Sequence, residues 1–139
     1  MSEIYPEETG YSDFVYDLSK PGKQIIAELS PKKAHCMHMA VGVSGEAGEL
    51  LDAFKKWVIY GKPLDVENVI EELGDIEFYA QGLRNAFGVT REQVLAANIK
   101  KLNKRCPSGK YSNKQAIDRA DKAGRGDGGG NFLLDVEDL

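Results

Sequence analysis

Two pairs of carboxylates, Glu46 with Glu49 and Glu72 with Asp75, are the side chains of this sequence best placed to do chemistry. The members of each pair stand three residues apart, so on a helix both project from one side. A break at Gly61-Lys62-Pro63 separates the pairs and lets the second helix fold back antiparallel on the first. Four acids then converge in one cleft, where they repel one another unless a cation sits among them. Hard oxygen donors in that number suit Mg2+, with Mn2+ as a substitute.

The elements that must position these acids are all helical. Ser30 followed by Pro31 marks a helix start, and apolar residues then recur at helical spacing from Met39 to Val58 until Gly61 stops the run. Asp65 caps a second long helix ending near Phe87, ahead of Gly88. Thr90 with Gln93 forms a capping-box pattern for a third, which ends by Pro107. Shorter helices are expected near residues 12–19, 23–29 and 114–120, the last opened by Ser112 with Gln115. No alternating run is long enough for a sheet. The fold class is therefore all-α, with a helical domain over residues 1–122. Residues 123–139 follow as a Gly-rich linker and an acidic, apolar tail. Composition gives that tail no core of its own; Phe132, Leu133 and Leu134 could dock on a neighbouring subunit.

On a wheel of about 100° per residue, Met39, Val43, Leu50, Leu51, Phe54 and Trp57 share a face of the first long helix, and Glu46 and Glu49 border it. Val69, Leu73, Ile76, Ala80, Leu83 and Phe87 do the same on the second, bordered by Glu72 and Asp75, with Asn68 and Tyr79 on the acidic stripe. Solvating acids belong on the far side; acidic edges of two facing helices are what a bundle-core metal site requires. Glu71 lies further round toward solvent. A single such pair is ordinarily a solvated edge, and it is the repetition on consecutive helices that gives the pattern weight. Gly42, Gly45 and Gly48 each cost a helix about 0.5–1 kcal/mol relative to Ala, which suggests close approach by a neighbouring helix or a flat ligand. His35 and His38 precede Glu46 by roughly 16 and 12 Å of helix, too far to share its ion, but His38 can line the far end of the same groove. On the third helix Asn98, Lys101 and Arg105 form a stripe beside Leu95, Ile99 and Leu102. Cations there, with Lys56 or Lys62, suit a polyphosphate shared with a metal ion.

The 139 residues fit one domain, and the 42% apolar and 29% charged fractions are those of an ordinary globular protein. A net charge of -4 argues against a nucleic-acid coat, and no apolar run reaches membrane-spanning length. The first residues lack the basic and apolar regions of a signal peptide. Cys36 and Cys106 give no disulfide framework, and a reducing cytoplasm is the simpler setting.

The segments Gly42-Val-Ser-Gly-Glu-Ala-Gly-Glu-Leu50, Glu71-Glu-Leu-Gly-Asp-Ile-Glu-Phe-Tyr79 and Asn98-Ile-Lys-Lys-Leu-Asn-Lys-Arg105 resemble, in that order, the MazG-like nucleoside triphosphate pyrophosphohydrolases. These belong to the all-α group that includes dimeric dUTPases and dCTPases, and the likeness runs over about residues 10 to 120, in the short form of bacterial and phage members. It implies an antiparallel four-helix bundle assembled as a homodimer or homotetramer in a bacterial cytosol or phage-infected cell. It implies Glu46, Glu49, Glu72 and Asp75 as Mg2+ ligands, Lys101 and Arg105 facing phosphates, and Asn98 as a nearby polar contact. The implied reaction cleaves a nucleoside triphosphate between the α and β phosphates to a monophosphate and pyrophosphate.

With that reading Glu49, Glu71 and Glu72 are the catalytic candidates, Glu49 or Glu71 taking the proton of the attacking water. His38 and Lys56 join Asn98, Lys101 and Arg105 as substrate contacts. A purine deoxynucleoside triphosphate such as dGTP is the expected substrate; nucleic acid and membrane are not expected partners. The competing reading is a non-catalytic helical nucleotide-binding or assembly module whose acids are a solvated rim. A di-iron bundle lacks its Glu-x-x-His element on both helices.

Overall fold

A computed structural model describes residues 8–122, and among them every regular element is helical. In chain order these are α1 (Glu8–Leu18), α2 (Gly22–Glu28), α3 (Pro31–Val58), α4 (Val66–Phe87), α5 (Arg91–Arg105) and α6 (Asn113–Asp118), followed by a 3-10 turn at Ala120–Lys122. The all-α expectation holds, and the starts and stops arise from local chemistry. The Ser30 hydroxyl accepts from the Lys33 N–H at 3.2 Å. Asp65 accepts from the Asn68 N–H at 3.0 Å, and Ser112 accepts from the Gln115 N–H at 3.1 Å. Thr90 and Gln93 complete a reciprocal capping box, each side chain taking the other's backbone N–H. Gly88 ends α4 at φ 62°, a left-handed backbone that glycine adopts without penalty, and its N–H closes on Arg84 and Asn85 carbonyls. The tail, including Phe132, Leu133 and Leu134, lies outside the described residues.

The chain divides into two compact units, residues 1–34 and 35–139. In the first, a polar cluster surrounds Glu28: Lys20 pairs with its carboxylate, Gln24 Nε2 donates to it at 2.8 Å, and Lys33 Nζ donates to its carbonyl at 3.0 Å. Tyr11, Phe14, Val15 and Leu18 of α1 are all exposed.

In the second unit α3 and α4 run antiparallel, as their side-chain register shows. Met39 packs against Gly82, Tyr79 against Gly42, and the Glu46 carboxylate meets those of Glu72 and Asp75. Each turn climbed on α3 is matched by a turn descended on α4. Yet apolar burial among the described residues is slight: Met39 and Ala53 are the only buried apolar side chains. Trp57, expected to be plain core, is 47% exposed and packs edge-on against Phe54, with ring centroids 6.2 Å apart. Leu51 and Leu73 lie open, as do Leu95, Ile99 and Leu102 of α5. The helical periodicity holds, but the described residues do not cover the apolar faces it predicts.

Because Thr90 satisfies a helix-end donor with its side chain, Thr90→Ala is expected to cost about 1 kcal/mol in urea unfolding and Thr90→Ser much less. Equal losses from both would show that the cap contributes nothing.

Candidate active site

Glu46 enters the cleft from the middle of α3, and Glu72 and Asp75 enter from the N-terminal half of α4. One carboxylate oxygen of each lies within 4.8 Å of the others, a spacing that a single small cation can bridge. Glu46 and Glu72 are half-buried and Asp75 is exposed. Three of the four expected acids are therefore brought together. Glu49 stands outside this trio on the exposed side of α3, yet near enough for its charge to act on Glu72. Glu71 is exposed and takes no part in the cluster.

The electrostatics carry the mark of crowding. The Glu72 carboxyl is raised above the ordinary value of 4.5, first by desolvation, then by a hydrogen bond with Glu46, then by the charges of Glu46, Glu49 and Asp75. A carboxylate pushed up in this way destabilises the folded chain as it ionises, whereas a divalent cation would reverse the penalty. The donor set is all carboxylate oxygen, the set that hard divalent ions take and that soft metals do not prefer.

One turn along from the acids, Tyr79 lies with its ring on the α3 backbone at Gly42, and the exposed His38 meets that ring edge-on at 6.2 Å. His38 thus sits at the far end of the same helix pair. Gly42 is the glycine of its run that meets a neighbour: a Cβ at Gly45 or Gly48 would find nothing within 4 Å.

The basic candidates divide. Lys56 is exposed and paired with Asp52 at 2.7 Å, one turn back on α3, and this hydrogen bond raises its pKa. Lys101 is half-buried and Asn98 exposed, and neither side chain makes a hydrogen bond or ion pair among the described residues. Arg105 is engaged. Its Nε and Nη2 donate to the two oxygens of Asp121 at 2.8 and 2.9 Å, a bidentate pair. Asp121 is only 3% exposed, and Arg119 brings a second guanidinium to 3.4 Å, as an ion pair rather than an aligned hydrogen bond. Sequence reasoning missed this partner. Its one signal was an acid two residues after Arg119, in a segment with no helical period long enough to orient it.

Comparison with known protein families matches the MazG nucleotide pyrophosphohydrolase domain over residues 36–109, more than half of the chain. The chain belongs to that family. The matched stretch contains all four acids, the Gly42–Tyr79 contact and Arg105, and it marks this MazG domain as a nucleotide pyrophosphohydrolase acting on a nucleotide substrate. No curated protein and no solved structure matches the chain. No helix among the described residues is long and apolar enough to cross a membrane, and Cys36 and Cys106 are both free thiols.

Two pH-dependent outcomes follow from the shifted acids. Raising the Glu72 pKa means that metal-free folded protein loses stability as pH climbs from 4.5 through the raised value. Glu72→Gln should therefore raise the thermal midpoint of chelator-treated protein at neutral pH and leave it unchanged at pH 4; an unaltered midpoint at neutral pH would contradict the crowding. Asp121 is the opposite case. Its carboxyl is held well below 3.8, first by the Arg105 hydrogen bonds, so its contribution is present above that pH and is lost as pH falls through the depressed value. Asp121→Asn should lower the midpoint at pH 7, with the gap from wild type closing in strong acid.

Proposed function

We propose that the MazG domain hydrolyses a deoxynucleoside triphosphate, with a purine such as dGTP as the first candidate, between the α and β phosphates, using a divalent ion held by Glu46, Glu72 and Asp75 with Glu49 as the fourth ligand. The observation that carries this reading is the meeting of three carboxylate oxygens from two helices within 4.8 Å, one of them with a raised pKa. Mg2+ fits such a set and Mn2+ can replace it. A divalent cation bound there supplies positive charge against the phosphates and acidity to a water nucleophile.

The chain's own residues do the rest in this proposal. Glu49, whose charge reaches Glu72, or the exposed Glu71 accepts the water's proton, with Glu72 as the third candidate acid. Lys101 of α5 offers an ammonium to the leaving pyrophosphate, and Asn98 a polar contact one turn before it. Asp121 occupies Nε and Nη2 of Arg105, which leaves the Nη1 edge of that guanidinium for a phosphate oxygen. Lys56 reaches substrate only by leaving Asp52. His38, beside Tyr79, lies on the side of the acids where the base would rest.

Assembly belongs to the same proposal. Large apolar side chains are open on every long helix, among them Leu51, Trp57, Ile70, Leu73, Phe78 and Ile99, and large exposed apolar patches mark interaction surfaces. A homodimer or homotetramer that completes a four-helix bundle would bury them. Sedimentation should return a mass of two or four chains, and a single chain at micromolar concentration would refute the assembly.

The decisive assay incubates the protein with Mg2+ and each deoxynucleoside and ribonucleoside triphosphate separately, and resolves the products. Monophosphate with pyrophosphate is expected, and the relative rates identify the preferred base and sugar. Glu46→Gln and Asp75→Asn should each reduce kcat/KM about 100-fold or more, on the scale of losing one electrostatic stabiliser in a reaction of this kind. Release of inorganic phosphate alone would point to a different hydrolase, and no turnover of any triphosphate would favour a nucleotide-binding or assembly module.

A further inference from the structure

Gly42 and Tyr79 form the layer next to the acids. On α3 Gly42 precedes Glu46 by one turn, and on α4 Tyr79 follows Asp75 by one turn, so in the antiparallel register the two meet about 6 Å along the axis from the carboxylates. The meeting is close. A Cβ built on Gly42 would fall well inside 3.0 Å of Cγ, Cδ1 and Cε1 of the Tyr79 ring, closer than real Cβ atoms come. That ring is not the loose end of a flexible chain. Phe78 packs edge-on against it with centroids 5.2 Å apart, and His38 meets another edge.

The neighbouring layer behaves differently. A Cβ at Gly82 would strike the Sδ and Cγ of Met39, an unbranched side chain that can rotate aside. At Gly45 and Gly48 there is open space. Among the described helical glycines, then, Gly42 is the position where a rigid group from the opposite helix lies on bare backbone.

We infer that Gly42 is a positioning residue for the metal site: by seating the Tyr79 ring against α3, it sets the α3–α4 separation that lets Glu46 reach Glu72 and Asp75. This rests on the metal-site reading proposed above and assigns it a residue that contacts neither ion nor substrate. A methyl group at residue 42 would push the ring, and α4 with it, away from α3. Glu46 on one helix and the two acids on the other would then part, and a bridging cation would lose ligands from one side. Losses of metal affinity on perturbing groups that orient ligands are about 10–100-fold.

The test is calorimetric Mn2+ titration of full-length protein, with chelator-stripped wild type, Gly42→Ala, Tyr79→Leu, Gly42→Ala/Tyr79→Leu and Gly82→Ala compared, and folding checked by circular dichroism. The expected result is about tenfold or greater loss of Mn2+ affinity in Gly42→Ala, and recovery to the Tyr79→Leu value in the double variant, because the ring that the methyl strikes is gone. Gly82→Ala, whose neighbour can move, should bind as wild type does. If Gly42→Ala alone fails to fold while the double variant folds and binds as Tyr79→Leu does, the steric coupling stands. Undiminished Mn2+ binding by Gly42→Ala, or a double variant weaker than Tyr79→Leu, would overturn the inference while leaving the metal site intact. Absence of Mn2+ binding by wild type would instead remove the metal site itself, and the positioning role with it.

Discussion

Mutual repulsion among Glu46, Glu72 and Asp75 is the constraint around which the rest of the molecule is organised. Carboxylates left to themselves splay toward water, and here two long helices hold three of them within 4.8 Å. The Glu72 carboxyl is pushed above its ordinary value, first by desolvation, then by its hydrogen bond with Glu46 and by the neighbouring charges. Such an arrangement persists only where surrounding structure imposes it or a ligand relieves it. The antiparallel register of α3 and α4 does the imposing, with Tyr79 seated on Gly42 and Met39 on Gly82 along the same line. Membership of the MazG family places a nucleotide pyrophosphohydrolase on this framework, and a divalent cation is the relief proposed above for its acids.

Around that line the chain is unusually open. Among the described residues Met39 and Ala53 are the buried apolar side chains, and those two alone cannot offset the conformational entropy of ordering helices of this length. Polar devices act locally meanwhile. Capping side chains close the starts of α4, α5 and α6, and the Arg105–Asp121 pair ties the short segment after α5 back onto it. An arginine held through two of its nitrogens by a buried carboxylate also has a fixed orientation, and that matters if its remaining edge is to meet a phosphate.

Much of this was legible in the residues themselves. Helix starts at Ser30, Asp65, Thr90 and Ser112 and stops at Gly61 and Gly88 rest on chemistry within four residues, which a sequence displays directly. The wheel correctly put Glu46, Glu72 and Asp75 at the edge between the helices, because angular position is fixed once the helix is. It could not settle the reach of each acid: Glu49 shares the angular edge but stands outside the trio, since axial offset against α4 depends on the register of two helices. The three glycines looked alike in sequence, and only the opposing side chain distinguishes Gly42 from Gly45 and Gly48. Asp121 was invisible because its approach to Arg105 follows from a left-handed turn at Arg119, φ 48°, that no periodicity announces. Trp57 lies on the apolar stripe yet is 47% exposed, because a stripe predicts that a face will be covered without saying by what.

The account's central claim is that these acids hold a divalent cation, and anomalous diffraction from crystals grown with Mn2+ tests it most directly. It predicts a strong anomalous peak bounded by Glu46, Glu72 and Asp75, with Glu49 drawn in and the ligands at the ~2.0–2.2 Å distances of a small hard cation. Well-ordered acids with no peak between them, or a peak held only by residues elsewhere, would contradict it.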